Sequence, residues 1–290
     1  MANKGKYYES QFEEATIELL HESHWQYAFG DDIHRKYTDP LIEEDLRNFL
    51  AVQYKDKNLT TSEMDSIVAN LRNTGGQNDY YALRNAFLLY RDGYDFAYSD
   101  GRDNPFRLEY IDFEHPDHNI FRCVNQFVME QGRENRRPDI LLFINGIPVC
   151  IIELKNPTNQ NATIRDAHTQ ICTRYMRDIP SLLKYCALAV ISDGAKNALG
   201  STYTPFEFFY EWKKINNEGK AGKGLDTLRT LIRGALSPER ILEILRDYVY
   251  FPDPTKEDDT TEIVCRYPQF FATRKLRDNI LDHLRSVGGD

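Results

Sequence analysis

An α/β fold, with a mixed central sheet flanked by helices and a helical connector at its C-terminal end, is what this 290-residue sequence predicts. Three observations lead there. Helix-period amphipathic segments fill the first ninety residues, three runs rich in Val, Ile and Phe follow between residues 118 and 154, and one more helical pattern then gives way to a last apolar run. Helices before, between and after strands imply a sheet covered on its faces. The length exceeds that of a usual single domain, and we divide it into a larger domain, 1–235, and the connector, 236–290.

In order along the chain, ESQFEEATIELLHESHWQY sets Phe12, Ala15, Ile17, Leu19 and Leu20 among acids and reads as an amphipathic helix. Residues 40–55 read as a second helix, and 61–72 as a third because Thr60 and Glu63 have the spacing of a capping box. A weaker helical pattern covers 79–90. HNIFRCVNQFVME, PDILLFI and VCIIEL read as three strands. Residues 162–178 then read as a helix that Pro180 stops, and CALAVIS as a buried strand. TPFEFFYEWKKI suits strand or helix. NNEGKAGKG reads as a loop, SPERILEILRDYV as a capped helix, FPDPTKEDDTTE as an acidic linker and FFATRKLRDNILDHL as a last helix.

Composition narrows the function. Mean hydropathy is -0.59 and no apolar run approaches the ~18 residues of a membrane span, so a cytoplasmic protein without a membrane partner is expected. Five cysteines without a CxxC pair are expected as core thiols. A net charge of -9 speaks against a broad nucleic-acid-binding surface. From 131 to 190, however, eight cations face five acids, a local balance of +3.

That patch surrounds RRPDILLFINGIPVCIIELKNPT, where charges stand at the edges of the most apolar part of the chain. Glu153 and Lys155, two apart on a strand, share a face. Whether Asp139 joins them depends on the turn. A two-residue Asn145-Gly146 loop pairs 139 with 152 and puts the carboxylates on opposite faces; a three-residue loop with Gly146 as a bulge pairs 139 with 151 and restores a common face. The chemistry favours the bulged turn, since two carboxylates and the Leu154 carbonyl would then supply oxygens to Mg²⁺, with Lys155 beside a bound water. A capped, solvated strand end is the structural alternative.

Arg137-Pro138-Asp139 followed by Glu153-Leu154-Lys155-Asn156-Pro157 resembles the PD-(D/E)xK nuclease signature, in the form found in restriction (R) subunits of type I restriction-modification enzymes. The segments ESQFEEATIELL, YMRDIPSLLKY, AVISDG and RYPQFFATRK resemble the same family, so the likeness runs from about residue 9 to 280. It implies a restriction-endonuclease-like sheet and Mg²⁺-dependent hydrolysis of DNA phosphodiester bonds, with Mn²⁺ as a substitute ion. Asp139 and Glu153 would hold the metal, Lys155 would act on the attacking water, and Glu13 would be an accessory acid. Arg137, Gln170, Arg174 and Tyr175 would handle double-stranded DNA. The family's Gln and Tyr stand four apart; here Gln170 and Tyr175 are five apart, about 140° around an ideal helix. Either the helix is locally irregular, or Arg174 takes the place of the Tyr.

The family's subunits continue into an ATP-driven motor, and a glutamine matching Gln269 helps its adenine recognition. GKAGKG is not a phosphate-binding GxxxxGK[ST] loop, so ATP is expected to serve only a longer protein of which these residues are the N-terminal part. Methyltransferase and specificity subunits are the implied partners. A stand-alone repair or recombination nuclease and a vestigial DNA-binding or assembly module are the alternatives.

Overall fold

The computed structural model describes residues 4–155, 163–216, 222, 224–253 and 260–287, with side chains described between 10 and 284. The chain opens with helix α1 (Lys4–Glu22) and strand β1 (Gln26–Phe29), then α2 (Glu43–Gln53), α3 (Thr61–Asn73) and α4 (Asp79–Asp92). A short hairpin, β2 (Tyr94–Phe96) and β3 (Phe106–Leu108), leads to β4 (Phe121–Asn125) and a second hairpin, β5 (Met129–Gln131) and β6 (Glu134–Arg136). Strands β7 (Ile140–Ile144) and β8 (Ile147–Leu154) follow. Next come α5 (Ile164–Thr169), a π-helical turn (Gln170–Tyr175), α6 (Met176–Asp178), α7 (Pro180–Leu183), β9 (Leu188–Ser192) and β10 (Asn197–Gly200). The last part holds α8 (Leu225–Leu231) running into a second π-turn (Ile232–Leu236), α9 (Pro238–Asp247), the pair β11 (Val249–Tyr250) and β12 (Ile263–Val264), and α10 (Tyr267–Val287).

Six strands form the central sheet in the order β1-β4-β7-β8-β9-β10. The β1/β4 and β8/β9 pairs are parallel and the other three antiparallel, so the sheet is mixed. Both faces are covered. Ile140, Leu142 and Ile144 of β7 join the larger core with α1–α4 and α8–α10, while Leu141 and Phe143 join the smaller one under α5–α7. The larger core takes residues from both sides of position 235, and Trp25 Nε1 donates to the Leu236 carbonyl (2.7 Å).

Helices α2, α3 and α4 stand where the sequence places them. The capping box is formed: Thr60 Oγ1 accepts from the Glu63 amide (3.2 Å) and Glu63 Oε2 from the Thr60 amide (2.9 Å). The first helix is a correction, because it ends at Glu22 and residues 26–29 are a strand. His24 has φ 70°, Trp25 N–H bonds the Leu20 carbonyl and His24 N–H that of His21, which is a Schellman stop built on histidine instead of glycine. The strand after it lies at the sheet edge with little of it buried, so it carries no alternating pattern.

Other corrections concern the last third. TPFEFFYEWKKI is neither a strand nor a longer helix: it holds one 3-10 turn (Phe206–Phe208) and a bridge between Tyr210 and Leu199. Ser237 stands at the N-cap of α9 but makes no side-chain cap bond; Pro238 at the first helical position sets the φ there instead. Helix α8, β10 and the two short hairpins carry too few residues to show a period. Asn156, Pro157, Ala162, most of NNEGKAGKG and the middle of FPDPTKEDDTTE lie outside the described residues. The five cysteines are free thiols, three of them buried. Among the described residues no helix is long and apolar enough to cross a membrane.

Candidate functional site

The β7–β8 turn differs from the expected one, yet the expected face is kept. Ile144 pairs with Ile147 across a two-residue loop in which Asn145 (φ 50°) and Gly146 (φ 76°) are both left-handed, the requirement of a type I′ hairpin. The ladder then shifts by one residue between Leu142 and Phe143, leaving Val149 as a bulge beside Pro148, which has no N–H to give. Val149 and Cys150 both turn to the larger core. Beyond them Ile140 pairs with Ile152, so Asp139 stands across from Glu153 and not diagonal to it. Both fall on the side of Leu141 and Ile151, under α5–α7.

Asp139 immediately precedes β7, and its Oδ2 accepts the Leu154 amide (2.7 Å). The Leu154 N–H is thus held by the Asp139 carboxylate. Glu153 is 1% exposed; its Oε1 accepts from Lys155 Nζ (2.7 Å), and its Oε2 is buried with no hydrogen-bond partner. Burial pushes the Glu153 carboxyl well above the ordinary range, and the charge of Asp139 pushes it further; Lys155 opposes both, and the Tyr175 hydroxyl acts least. An orphaned buried carboxylate oxygen on a residue across from a second carboxylate is costly alone and suited to a cation. The pair therefore fits a hard divalent ion.

Lys155 carries the network outward. Its Nζ also donates to Gln170 Oε1 (2.8 Å), and Gln170 Nε2 donates to the Tyr175 hydroxyl (2.7 Å). The five-residue gap is closed by the π-turn Gln170–Tyr175, whose i→i+5 spacing brings these two side chains to one face. The local irregularity is the alternative the structure takes. Tyr175 is buried at 3% exposure, and its hydroxyl pKa is raised by burial and then by Glu153. Arg174 and Arg137 lie exposed nearby in the chain.

Glu13, on α1, is half-buried and accepts from Asn125 Nδ2 (2.7 Å) and Gln126 Nε2 (3.0 Å). Asn125 is at the end of β4 that pairs with Ile140, so Glu13 is held at the same end of the sheet as Asp139 and Glu153. The Asn125-Gln126 clamp was missed by sequence reasoning; two adjacent amides closing an apolar strand, VNQF, were its signal. Gln269 is exposed and remote in sequence; its Oε1 accepts the Arg266 amide (2.9 Å) and caps α10.

Residues 6–208 match the model of the type I restriction enzyme R protein N terminus. The type I restriction enzyme HindI endonuclease subunit of Haemophilus influenzae is 28% identical over 285 residues, which is 94% of this chain and 27% of that protein. The EcoprrI endonuclease subunit of Escherichia coli is 28% identical over 192 residues, covering 63% and 56%. The SsaAORF53P endonuclease subunit of Staphylococcus saprophyticus is 24% identical over 242 residues, covering 80% and 23%. The chain thus spans about a quarter of the HindI relative.

Proposed function

The chain belongs to the family of the type I restriction enzyme R protein N terminus, and from that premise we propose that it is the Mg²⁺-dependent nuclease region of such an enzyme, with a restriction-endonuclease-like fold of PD-(D/E)xK type. One observation carries the reading. Two carboxylates, at the ends of adjacent strands, share a face; one of them has an orphaned, fully buried oxygen, and a lysine is bonded to its other oxygen.

In this reading Asp139, Glu153 and the Leu154 carbonyl hold the ion, which when bound supplies charge stabilisation and a more acidic water. Lys155, fixed between Glu153 and Gln170, orients the attacking water and offsets charge at the phosphate. Tyr175 locks Gln170 from beneath. Arg137 and Arg174 meet the DNA backbone, and Glu13 is the accessory acid. Residues 236–290 connect to an ATP-driven motor in which Gln269 serves adenine recognition. Methyltransferase and specificity subunits select unmodified foreign DNA in the cytoplasm, and cutting follows translocation. The acidic net charge accords with a nuclease that is supplied with DNA and does not capture it alone.

The test is anomalous diffraction from crystals soaked in Mn²⁺. A peak between Asp139 and Glu153, absent from Asp139→Ala crystals, is expected. No peak in crystals that also contain DNA would refute the assignment.

A further inference from the structure

A second group of metal-ligating side chains lies at the other end of the sheet. The loop between β3 and β4 brings Asp112, His115 and His118 together, their ligand atoms all within 4.8 Å of one another. The loop ends just before Phe121, which pairs with Ile144 at the opposite end of β4 and β7 from Asp139. We propose that these three residues form a mononuclear site for a first-row transition ion, Zn²⁺ foremost, independent of the nuclease site.

The donors already converge on one point. Asp112 is 5% exposed, and its Oδ2 meets His118 Nδ1 (2.9 Å), His115 Nδ1 (3.2 Å) and Gln53 Nε2 (3.2 Å). The two imidazoles stack at 4.8 Å between centroids, both turning the same nitrogen inward and leaving Nε2 outward. Both Nδ1 atoms already stand at about the spacing that two ligands of one ion keep from the same carboxylate oxygen, so a cation can take the place of the protons between them. Two imidazole nitrogens with one carboxylate suit Zn²⁺ and its neighbours better than Mg²⁺ or Ca²⁺, which prefer oxygens. The fourth position is open to water or, after rotation of its amide, to Gln53 Oε1.

The surroundings hold the ligands still. Asp112 Oδ1 accepts the amides of Glu114 (3.0 Å) and His115 (2.9 Å). Asn119 spans the loop, its Oδ1 accepting the Asp112 amide (2.9 Å) and its Nδ2 donating to the Asp112 carbonyl (2.7 Å), and Asn145 Nδ2 donates to Asn119 in turn (2.8 Å). Such outer bonds fix ligand orientation. No Lys or Arg occurs from 108 to 121, while Glu109, Glu114 and Asp117 add negative charge. Arg246 is the opposing cation, donating to the Phe113 carbonyl (3.4 Å) and paired with Asp247 (2.9 Å).

Co²⁺ added to the metal-stripped 290-residue protein reads the site directly, because low-coordinate Co²⁺ absorbs visibly and hexa-aqua Co²⁺ hardly does. One equivalent should develop the bands in the unchanged protein and in Asp139→Ala, and not in His115→Ala/His118→Ala. Zn²⁺ should abolish them by competition and raise Tm only where both histidines remain. The rings are 58% and 50% exposed, so the double variant keeps its fold, checked by its melting in chelator. Absent bands in the unchanged protein, or bands undiminished in the double variant, would overturn the proposal.

Discussion

Glu63 and Glu153 are screened from solvent almost equally, at 2% and 1% exposure, yet they are opposite kinds of carboxylate. Glu63 lies in a shallow layer at the edge of the molecule with both oxygens satisfied: Arg102 donates to each (2.9 and 2.7 Å), Thr60 N–H to Oε2 and Ser99 N–H to Oε1. Arg102 above all, then the Thr60 amide, hold its carboxyl down at about 2. Glu153 lies at full depth with one oxygen orphaned, and its pKa is driven up by burial. The fold completes one carboxylate and leaves the other incomplete. An incomplete buried acid costs stability, and its retention points to a ligand.

The largest effect should separate the two outright. Asp139→Ala, Glu153→Gln or Lys155→Ala in the complete restriction complex should lower DNA cleavage by at least ~100-fold while ATP hydrolysis continues, since charge-stabilising groups at reacting centres contribute on that scale; chelation of divalent ions should do the same. Glu63→Gln should leave cleavage per folded molecule unchanged. Equal losses from both glutamates would erase the distinction.

Next comes stability, with opposite signs. Glu63, whose folded pKa is depressed, contributes stability present above the unfolded value near 4.5 and lost as pH falls toward about 2. Glu63→Gln should therefore lower Tm at pH 7, with the deficit shrinking in acid. Glu153, whose folded pKa is raised, gives stability present below about 4.5 and lost as pH rises. Without metal, Glu153→Gln should raise Tm at pH 8 to 9, by about 2–4 °C per 1 kcal/mol relieved in a chain approaching this size, and change little at pH 4. A lower Tm at alkaline pH would show that the orphaned oxygen is satisfied in solution.

The smallest effect concerns the surface around the incomplete acid. Arg174→Ala should weaken DNA binding by the full complex and reduce its salt slope by about 1, as loss of one phosphate contact does. An unchanged slope would remove Arg174 from the interface.

Much of this arrangement was legible in the residues, because buried strands and capping boxes leave local marks. PDILLFI and VCIIEL read as strands since every residue of β7 and β8 is buried, and Thr60 with Glu63 announced α3. Asn145-Gly146 was ambiguous: the dipeptide makes the two-residue turn that its type suggests, while the face of Asp139 is set four residues away by the bulge at Val149, where only Pro148 hinted at trouble. The π-turn left a sign in the five-residue spacing of Gln170 and Tyr175, but helical and substituted readings both fitted it. Strand β1 and the Asp112 cluster left little, because an edge strand has no alternation and the cluster depends on a turn held by Asn119 and Asn145 from a distance.

Val149 has a meaning that no substitution would expose. A strand assigns its residues to two sides by odd and even position, and one surplus residue exchanges the two lists for everything downstream. Taking Val149 into the ladder as an ordinary partner would change no side chain that touches Asp139, Glu153 or Lys155, yet it would pair 139 with 152 and turn the carboxylates away from each other; deleting Val149 outright would leave Leu142 across from Cys150 and Asp139 across from Glu153. The site is thus encoded partly as arithmetic: it tolerates changes in what Val149 is, and depends on its being passed over in the count.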